Sequence, residues 1–152
     1  SDLGQISWSG GTARLIDDYG HHPTEIFVTL KAARSAFPGR RIVMVFQPHR
    51  YSRTADHFDE FVSVLSELSN LILLEVYSAG EARIENADTN ALASSIRKRG
   101  EVDPIVVLDH ECLAKVLLDI LKNKDVLMMQ GAGDIGGLAA TLSEAISLEA
   151  LT

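Results

Sequence analysis

Two hydrophobic patterns alternate along the chain after residue 22. Four short runs are apolar except for Glu75, which is typical of buried parallel strands: residues 42–46, 71–76, 105–108 and 126–129. Between and around these runs, apolar residues recur at helical spacing. The predicted helices carry the sets Ile26, Phe27, Leu30 and Ala33; Phe58, Phe61, Val62, Leu65 and Leu68; Leu92 and Ile96; Cys112, Leu113, Val116, Leu117, Ile120 and Leu121; and Leu138, Leu142 and Ile146.

Polar residues mark the ends of these helices. Thr54 or Asp56 is expected to cap the second helix, and Asp88 or Thr89 the third, which ends at Gly100. Before residue 22, residues 5–8 and 12–16 flank a Ser-Gly-Gly turn that is typical of a hairpin. The pattern predicts one α/β domain over residues 1–152. Its sheet is doubly wound, mostly parallel and Rossmann-like, with an antiparallel N-terminal strand or hairpin.

Composition and charge narrow the class of protein. A hydrophobic content of 46% and a charged content of 23% are those of a globular domain. The formal net charge of −7 argues against a nucleic-acid or membrane partner. Any anion site must then be a local basic patch, for which the candidates are Arg40, Arg41, Arg50 and Arg53.

A single cysteine, Cys112, excludes an internal disulfide and a cysteine-rich metal site. Its place in an apolar helical pattern favours a buried core position over a nucleophile. The apolar runs are too short to span a bilayer and no signal peptide is evident, so we expect a cytoplasmic protein. The chain starts without a methionine, from which we expect a fragment of a longer protein.

A polar turn separates the hairpin from the first helix. Residues 17–23 read Asp-Asp-Tyr-Gly-His-His-Pro. A metal site is disfavoured, because adjacent histidines cannot easily converge on one ion and no third distant ligand is evident. Two interpretations stay open, namely contact with a nucleotide or substrate, and satisfaction of turn and helix-cap amides.

The most informative stretch, residues 46–54, reads Phe-Gln-Pro-His-Arg-Tyr-Ser-Arg-Thr and follows a predicted strand. In an open α/β sheet, ligands bind at the carboxyl ends of the strands. Two guanidiniums three residues apart, those of Arg50 and Arg53, can grip a carboxylate or phosphate. A solvated basic loop is the alternative, but the position after a strand favours function.

Two further segments also follow strands. Residues 131–136 form a literal G-x-G-x-x-G, but no later strand can carry a ribose-binding acid. A close-packed turn is therefore favoured over NAD binding, although its amides could face an anion. Residues 77–81, Tyr-Ser-Ala-Gly-Glu, are a weak signal alone. A parallel sheet places all these segments at one edge, where they can converge on one site, but none of them activates a nucleophile or binds triphosphate by itself.

The segments Asp-Asp-Tyr-Gly-His-His-Pro-Thr-Glu and Phe-Gln-Pro-His-Arg-Tyr-Ser-Arg-Thr together resemble the C-terminal domain of the Mur ligases. Tyr-x-Ala-Gly-Glu and Gly-Ala-Gly-Asp-Ile fit in the same order, and the resemblance covers essentially the whole chain. The His-Arg-Tyr-Ser-Arg element is the more specific, and it narrows the resemblance to members that add L-alanine to UDP-N-acetylmuramate.

The resemblance implies a three-domain, ATP-dependent, amide-forming ligase of peptidoglycan synthesis. An N-terminal domain would hold the UDP-sugar, and a central domain would hold ATP with Mg²⁺. The muramic carboxylate would become an acyl phosphate that the L-alanine amine attacks. Both of those domains would be absent here, so this chain would bring the amino acid and would hold no catalytic residue and no metal by itself.

The resemblance also implies roles for particular residues. The expected contacts to the amino acid and the anionic end of the substrate are Tyr19, His21, His49, Arg50 and Arg53. Asp18 would meet the nucleotide, through its ribose, and His22 would support it or cap the helix. Less specific candidates are Glu81, Gly131, Gly133 and Asp134.

Two other classes of protein stay open. A stand-alone nucleotide-binding or regulatory Rossmann-like module would use the Gly-rich turn at residues 131–136. A purely structural interaction domain would leave His21, His49, Arg50 and Arg53 scattered over the surface.

Overall fold

The computed structural model describes residues 1–152. Its fold is a six-stranded sheet with helices on both faces. The strands are β1 (Asp2–Trp8), β2 (Gly11–Asp18), β3 (Ile42–Phe46), β4 (Asn70–Leu74), β5 (Ile105–Val107) and β6 (Asp125–Gln130). The helices are α1 (Pro23–Ala36), α2 (Tyr51–Asp56), α3 (Phe58–Leu65), α4 (Thr89–Arg99), α5 (Leu113–Ile120) and α6 (Ile135–Glu149), with a 3₁₀ turn at His110–Cys112.

The order of strands across the sheet is β1-β2-β6-β3-β4-β5. Only β1 and β2 pair antiparallel, as the predicted hairpin, and all other pairs are parallel. The predicted fold class is therefore confirmed. The last strand, β6, lies between β2 and β3, so the turn that follows it lies between the turns that follow those two strands.

The core is divided by the sheet into two apolar layers. Along β3, Val43 and Val45 face one layer and Met44 and Phe46 face the other. Helices α5 and α6 cover the first layer, whereas α1, α3 and α4 cover the second. Because both faces are covered, the central strands need apolar residues at successive positions, which is the reason for their uninterrupted apolar runs.

The chain after β3 differs from the prediction. Neither Thr54 nor Asp56 caps a helix. Instead α2 begins at Tyr51, and the hydroxyl of Thr54 donates to the Arg50 carbonyl at 2.9 Å. A break at His57 separates α2 from α3. The polar stretch contains a short helix because Tyr51 and Thr54 are buried against the domain. The prediction for α4 holds, since Asp88 accepts from Ala91 N at 2.8 Å.

Two helix residues assigned to the core are exposed, and so are Ile105 and Leu108 of the run predicted as a buried strand, because β5 is an edge strand that ends at Val107. Cys112 lies at the end of the 3₁₀ turn rather than inside a helix, so its thiol reaches solvent. Phe27 is 46% exposed, because the buried face of α1 consists of Pro23, Ile26, Leu30 and Ala33. Helical spacing alone did not distinguish the edge of the apolar stripe from its centre.

The four arginines proposed as one basic patch lie at opposite edges of the sheet. Arg41 precedes β3, and its guanidinium bonds both oxygens of the buried Asp125 at 2.9 and 2.6 Å. Arg40 donates to the Lys124 carbonyl at 2.6 Å. Arg50 and Arg53 lie past the other end of β3. The patch at the carboxyl edge therefore contains only these last two arginines.

None of the helices is long and apolar enough to cross a membrane.

Candidate functional site

The loops that follow four neighbouring parallel strands meet at the carboxyl edge of the sheet. Strands β2, β6, β3 and β4 lie side by side, and the turns after them contain the polar segments singled out in the sequence. Backbone bonds join two of the turns beyond the sheet. Tyr77 N donates to Pro48 O at 2.8 Å, and Arg50 N donates to Tyr77 O at 2.7 Å. The expected convergence of these segments is present.

Four aromatic rings form a row across this edge. The imidazole of His49 stacks on Tyr77 with ring centroids 5.3 Å apart and planes inclined by 18°. The His21 ring lies 5.7 Å from that of His49, and Tyr19 packs edge-on against His21 at 5.7 Å. The row joins the turns after β4, β3 and β2. Tyr19 is 70% exposed, so the row is open to a ligand at that end.

Arg53 contacts the middle of this row. Its Nη1 lies 3.0 Å from Nδ1 of His49 and donates to the His49 carbonyl at 3.1 Å. Neither Arg50 nor Arg53 has a carboxylate within ion-pair distance, whereas Arg41 does. Two guanidiniums without a carboxylate partner, near the imidazole of His49, have the charge and the donors that an anion requires.

The surroundings of His49 favour its neutral form. Burial is the main cause that lowers its pKa, and the nearby Arg53, His21 and Arg50 lower it further, whereas Glu81 opposes the shift. A neutral imidazole keeps one N–H donor and one lone pair, and this defines what the ring can offer a ligand.

Arg50 has a backbone conformation that favours glycine. Its φ of 71° and ψ of 138° turn the chain out of β3 and into α2. Such a conformation costs a non-glycine residue on the order of 1–3 kcal/mol. A long charged side chain in this position indicates a functional reason for its presence rather than a gain in stability.

Arg50→Gly should be more stable than Arg50→Ala by about 1 kcal/mol in the free energy of unfolding. Both variants lose the guanidinium, so their difference isolates the backbone strain. Urea unfolding of the two variants measures it. Equal stabilities would mean that the backbone at this position is unstrained.

Glu81 fastens α2 to the loop after β4. Its carboxylate accepts from Ser52 N at 3.0 Å and from Ser52 Oγ at 2.5 Å. The hydroxyl bond is the main cause that lowers the pKa of Glu81, and the backbone bond adds to it. The N-cap residue Arg50 has no side-chain bond of its own, so Glu81 serves as the cap from another loop. This arrangement places Glu81 as a support for Arg50 and Arg53.

Asp18 organises the turn after β2. Its Oδ2 accepts from Gly20 N at 3.0 Å, from Thr29 Oγ1 at 3.1 Å and from Gln130 Nε2 at 2.7 Å. Its Oδ1 has no hydrogen-bond partner in the chain. One oxygen therefore holds the turn, while the other is available to a hydroxyl group of a ligand.

His22 begins helix α1. Its Nδ1 accepts from Thr24 N at 3.4 Å, and its own N–H donates to Glu25 Oε1 at 3.0 Å, which completes a capping box. The ring packs against His57 at 4.5 Å rather than joining the row of four rings. The structure thus contains the helix cap that was one of the two roles expected of His22.

A groove of about 440 Å³ lies between the Asp18 turn and the start of α1. The residues that line it are Asp18, Tyr19, Gly20, Thr24, Glu25, Val28 and Thr29. It combines apolar surface from the exposed Val28 and Tyr19 with the carboxylate of Asp18. A groove with an apolar wall and one carboxylate suits a planar base with a hydroxylated sugar.

The Gly-rich turn after β6 is close-packed, as the sequence favoured. A Cβ at Gly133 would lie 2.5 Å from Gln47 Oε1 and 2.7 Å from Tyr77 Cγ. Gly131 has φ of 147°, and a Cβ there would lie 2.8 Å from the Gln47 carbonyl. The glycines at these two positions are therefore explained by packing against the neighbouring loops. The third glycine, Gly136, has no such neighbour.

Gly133→Ala should cost about 1–2 kcal/mol, because the new methyl group must displace the Tyr77 ring that supports His49. Gly137→Ala is a matched control in the first turn of α6, where a Cβ meets nothing within 4 Å. The control should gain roughly 0.5–1 kcal/mol, since alanine is the better helix former. Urea unfolding distinguishes the two, and a stable Gly133→Ala variant would contradict the close packing.

Two buried glutamines that the sequence did not identify hold the turns together. Gln47 donates through Nε2 to Asp134 Oδ1 at 2.5 Å, and its Oε1 accepts from Ile135 N at 3.2 Å. Gln130 donates to Asp18 and also to the Gly20 carbonyl at 2.8 Å. Each lies at the end of a central strand. Their position directly after apolar strands was the one available signal.

Asp134 contacts two side chains that are not members of the row of rings. Its carboxylate bonds Gln47 and lies 3.7 Å from His110 Nδ1. No group of three or more His, Cys, Asp or Glu side chains is arranged to hold a metal ion.

Comparison with known proteins places the chain in a family. The family model described as "Mur ligase, glutamate ligase domain" matches residues 5–133. UDP-N-acetylmuramate-alanine ligase MurC from Thermotoga maritima aligns over 95% of this chain and 29% of its own, at 25% identity and a TM-score of 0.71.

Two further solved structures share the fold. One is a domain from a putative UDP-N-acetylmuramate:L-alanyl-γ-D-glutamyl-meso-diaminopimelate ligase from Haemophilus ducreyi. It aligns over 96% of this chain and 98% of its own, at 20% identity and a TM-score of 0.66. The other is the murein peptide ligase Mpl from Psychrobacter arcticus, with coverages of 94% and 29%, 18% identity and a TM-score of 0.68.

The fold and these matches define the class of protein as a ligase domain. The chain belongs to the Mur ligase family, as its C-terminal domain. It spans 29% of the length of the T. maritima enzyme.

Proposed function

We propose that this chain is the amino-acid-binding domain of a ligase that joins L-alanine to UDP-N-acetylmuramate. The observation that carries the proposal is the pair of guanidiniums, those of Arg50 and Arg53, which lack ion-pair partners beside the neutral His49. The carboxylate of an amino acid matches such a pair in charge and geometry. Tyr19 and His21 complete the row of rings on the same side of the site.

The choice of L-alanine over a peptide rests on two supports. The His-Arg-Tyr-Ser-Arg element resembles that of the alanine-adding members, and the T. maritima relative is described as an alanine ligase. The two relatives described as peptide ligases are less similar in sequence, at 20% and 18% identity.

The ribose and base of ATP fit the groove beside Asp18. Asp18 Oδ1 is available to a ribose hydroxyl, and Val28 and the Tyr19 ring offer apolar surface to the base. His22 would act on the nucleotide indirectly, by holding the start of α1. The chain offers no ligand set for Mg²⁺. We assign Mg²⁺ and the phosphates, where the acyl phosphate forms, to the central domain of the longer protein.

The chain alone is therefore expected to be inactive. The N-terminal and central domains would hold the UDP-sugar and ATP, and closure would bring the row of rings to the acyl phosphate. We place the reaction in the cytoplasm, where these precursors are made.

A substrate screen on the full-length protein tests the proposal. With ATP, Mg²⁺ and UDP-N-acetylmuramate, phosphate release should require L-alanine and should be absent with the tripeptide L-alanyl-γ-D-glutamyl-meso-diaminopimelate. Turnover with the tripeptide and not with L-alanine would contradict the proposal. Calorimetry on the isolated chain tests the rival, a stand-alone nucleotide-binding module, since that module would bind NAD or ATP tightly without other domains.

A further inference from the structure

The two imidazoles of the row, those of His49 and His21, differ in the hydrogen-bond partner of their Nδ1 atom, which can only donate in one case and only accept in the other. His49 Nδ1 lies 3.0 Å from Arg53 Nη1. A guanidinium has donors and no acceptor, so this nitrogen must keep its lone pair. His21 Nδ1 lies 3.3 Å from the Tyr19 carbonyl oxygen, which can only accept, so this nitrogen must carry the proton.

We propose that Arg53 and the Tyr19 carbonyl hold His49 and His21 in opposite tautomers, so that His49 offers an N–H donor to the carboxylate of the amino acid while His21 offers a lone pair to its ammonium group. The Nε2 atom of each ring is the one left for a ligand. This inference rests on the proposed function and adds to it a division of roles between the two histidines.

The positions of both rings are fixed by their neighbours. His49 stacks on Tyr77, and Arg53 also donates to the His49 carbonyl, so ring and backbone are held by one guanidinium. Turning the His49 ring over would place a C–H group against Arg53. The ring of His21 lies 5.7 Å from that of His49, close enough for both to reach one small zwitterion.

The proton transfer balances without any further reactant. An N–H bond of the substrate ammonium breaks and an N–H bond forms on His21 Nε2, which leaves a neutral amine and an imidazolium. Glu25 Oε1 lies 3.9 Å from His21 Nδ1 and stabilises that imidazolium. The neutral amine can then attack the acyl carbon of the acyl phosphate, the carbon–oxygen bond to the phosphate breaks, and the second proton that the nitrogen loses goes to the departing phosphate or to solvent. His21 returns its own proton to solvent. His49 cannot take this role, because Arg53 occupies its lone pair.

Three of the four charged or titratable groups around His49 act in the same direction as the geometry, and only Glu81 opposes them. The groups that face it are Arg53, His21, Arg50 and Glu81. Protonation of His49 at both nitrogens would set an N–H group against the N–H group of Arg53. Arg53 is thus a positioning residue for His49, in addition to any direct contact with the substrate.

Nitrogen NMR of the histidine rings in the ligand-free chain tests the tautomers directly. In ¹⁵N-labelled protein near pH 7, two-bond proton–nitrogen correlations should show His49 protonated at Nε2 and His21 protonated at Nδ1. Arg53→Met should turn His49 into a mixture of tautomers and raise its titration midpoint, while His21 stays protonated at Nδ1. Arg53→Lys, which keeps a donor, should largely restore the wild-type pattern. Arg34→Met at the opposite edge serves as the control and should alter neither ring.

The same tautomer on both histidines, or an unchanged His49 in a folded Arg53→Met variant, would overturn the proposal. Because no substrate is present, this outcome is independent of whether the ligase assignment is correct.

Kinetics of the full-length enzyme test the division of roles. His49→Gln keeps an N–H donor near the position of Nε2 and should lower kcat/KM for the amino acid by less than about tenfold, mainly through KM. His21→Gln removes the base and should lower kcat by about 100-fold. Equal effects on kcat, or the reverse order, would contradict the roles even if the tautomers are as stated.

Discussion

Arg53→Ala in the full-length ligase is expected to lower kcat/KM for L-alanine by about 100-fold, while the KM for UDP-N-acetylmuramate stays nearly unchanged. A hydrogen bond to a charged group contributes about 1.5–3 kcal/mol, and the upper part of that range corresponds to this factor. The variant also loses the bonds that hold the ring and carbonyl of His49.

The control for this prediction is Arg34→Ala. Arg34 also donates to a backbone carbonyl, that of Glu67 at 2.9 Å, but it lies on α1 away from the row of rings. It should leave both substrate constants unchanged. Steady-state kinetics with each substrate varied in turn measures the difference. An unchanged kcat/KM for L-alanine in the Arg53→Ala enzyme would contradict the role assigned to Arg53.

Arg41→Met is expected to cost about 3 kcal/mol of folding stability and to leave the substrate constants alone. The side chain of Asp125 is only 2% exposed, and Arg41 supplies two of its bonds. Without the guanidinium, the buried carboxylate keeps one partner, Lys122 N at 2.8 Å. Removal of one partner of a buried pair leaves a charge that the interior cannot solvate.

Arg40→Met separates burial from charge in this test. Arg40 carries the same charge but donates only to the carbonyls of Lys124 and Asp125 at the surface. Its replacement should cost less than about 1 kcal/mol. Urea unfolding of both variants gives the comparison. Equal losses would show that the Arg41 pair is not the specific tie between β3 and β6.

The strands could be predicted because two covered sheet faces demand unbroken apolar runs. The start of α2 could not, because its six residues are mostly polar and only Tyr51 and Thr54 turn inward. Spacing also misplaced Cys112, because a 3₁₀ turn precedes α5 and points the thiol to solvent. The local sequence pattern thus predicted which helices and strands exist, whereas tertiary packing determines the residues at which they begin and end.

The site was predictable as far as charge and strand ends define it. Arg50 and Arg53 were found because they follow an apolar run, whereas the grouping with Arg40 and Arg41 was wrong because charge alone does not reveal which edge a residue occupies. Gln130 was missed, since its partner Asp18 lies 112 positions away in the sequence. The backbone strain at Arg50 could not be predicted from the sequence, because it depends on the hydrogen bond between Arg50 N and the Tyr77 carbonyl.

A substrate analogue without the carboxylate tests the central claim most directly. The measurement is the ratio of kcat/KM for L-alanine to that for L-alaninamide, in the wild-type enzyme and in the Arg50→Ala/Arg53→Ala double variant. The wild type should prefer L-alanine by about 100-fold or more, and the double variant should lose most of that preference, because the lost carboxylate and the lost guanidiniums are the same interaction. A preference that survives unchanged in the double variant would place the carboxylate grip elsewhere.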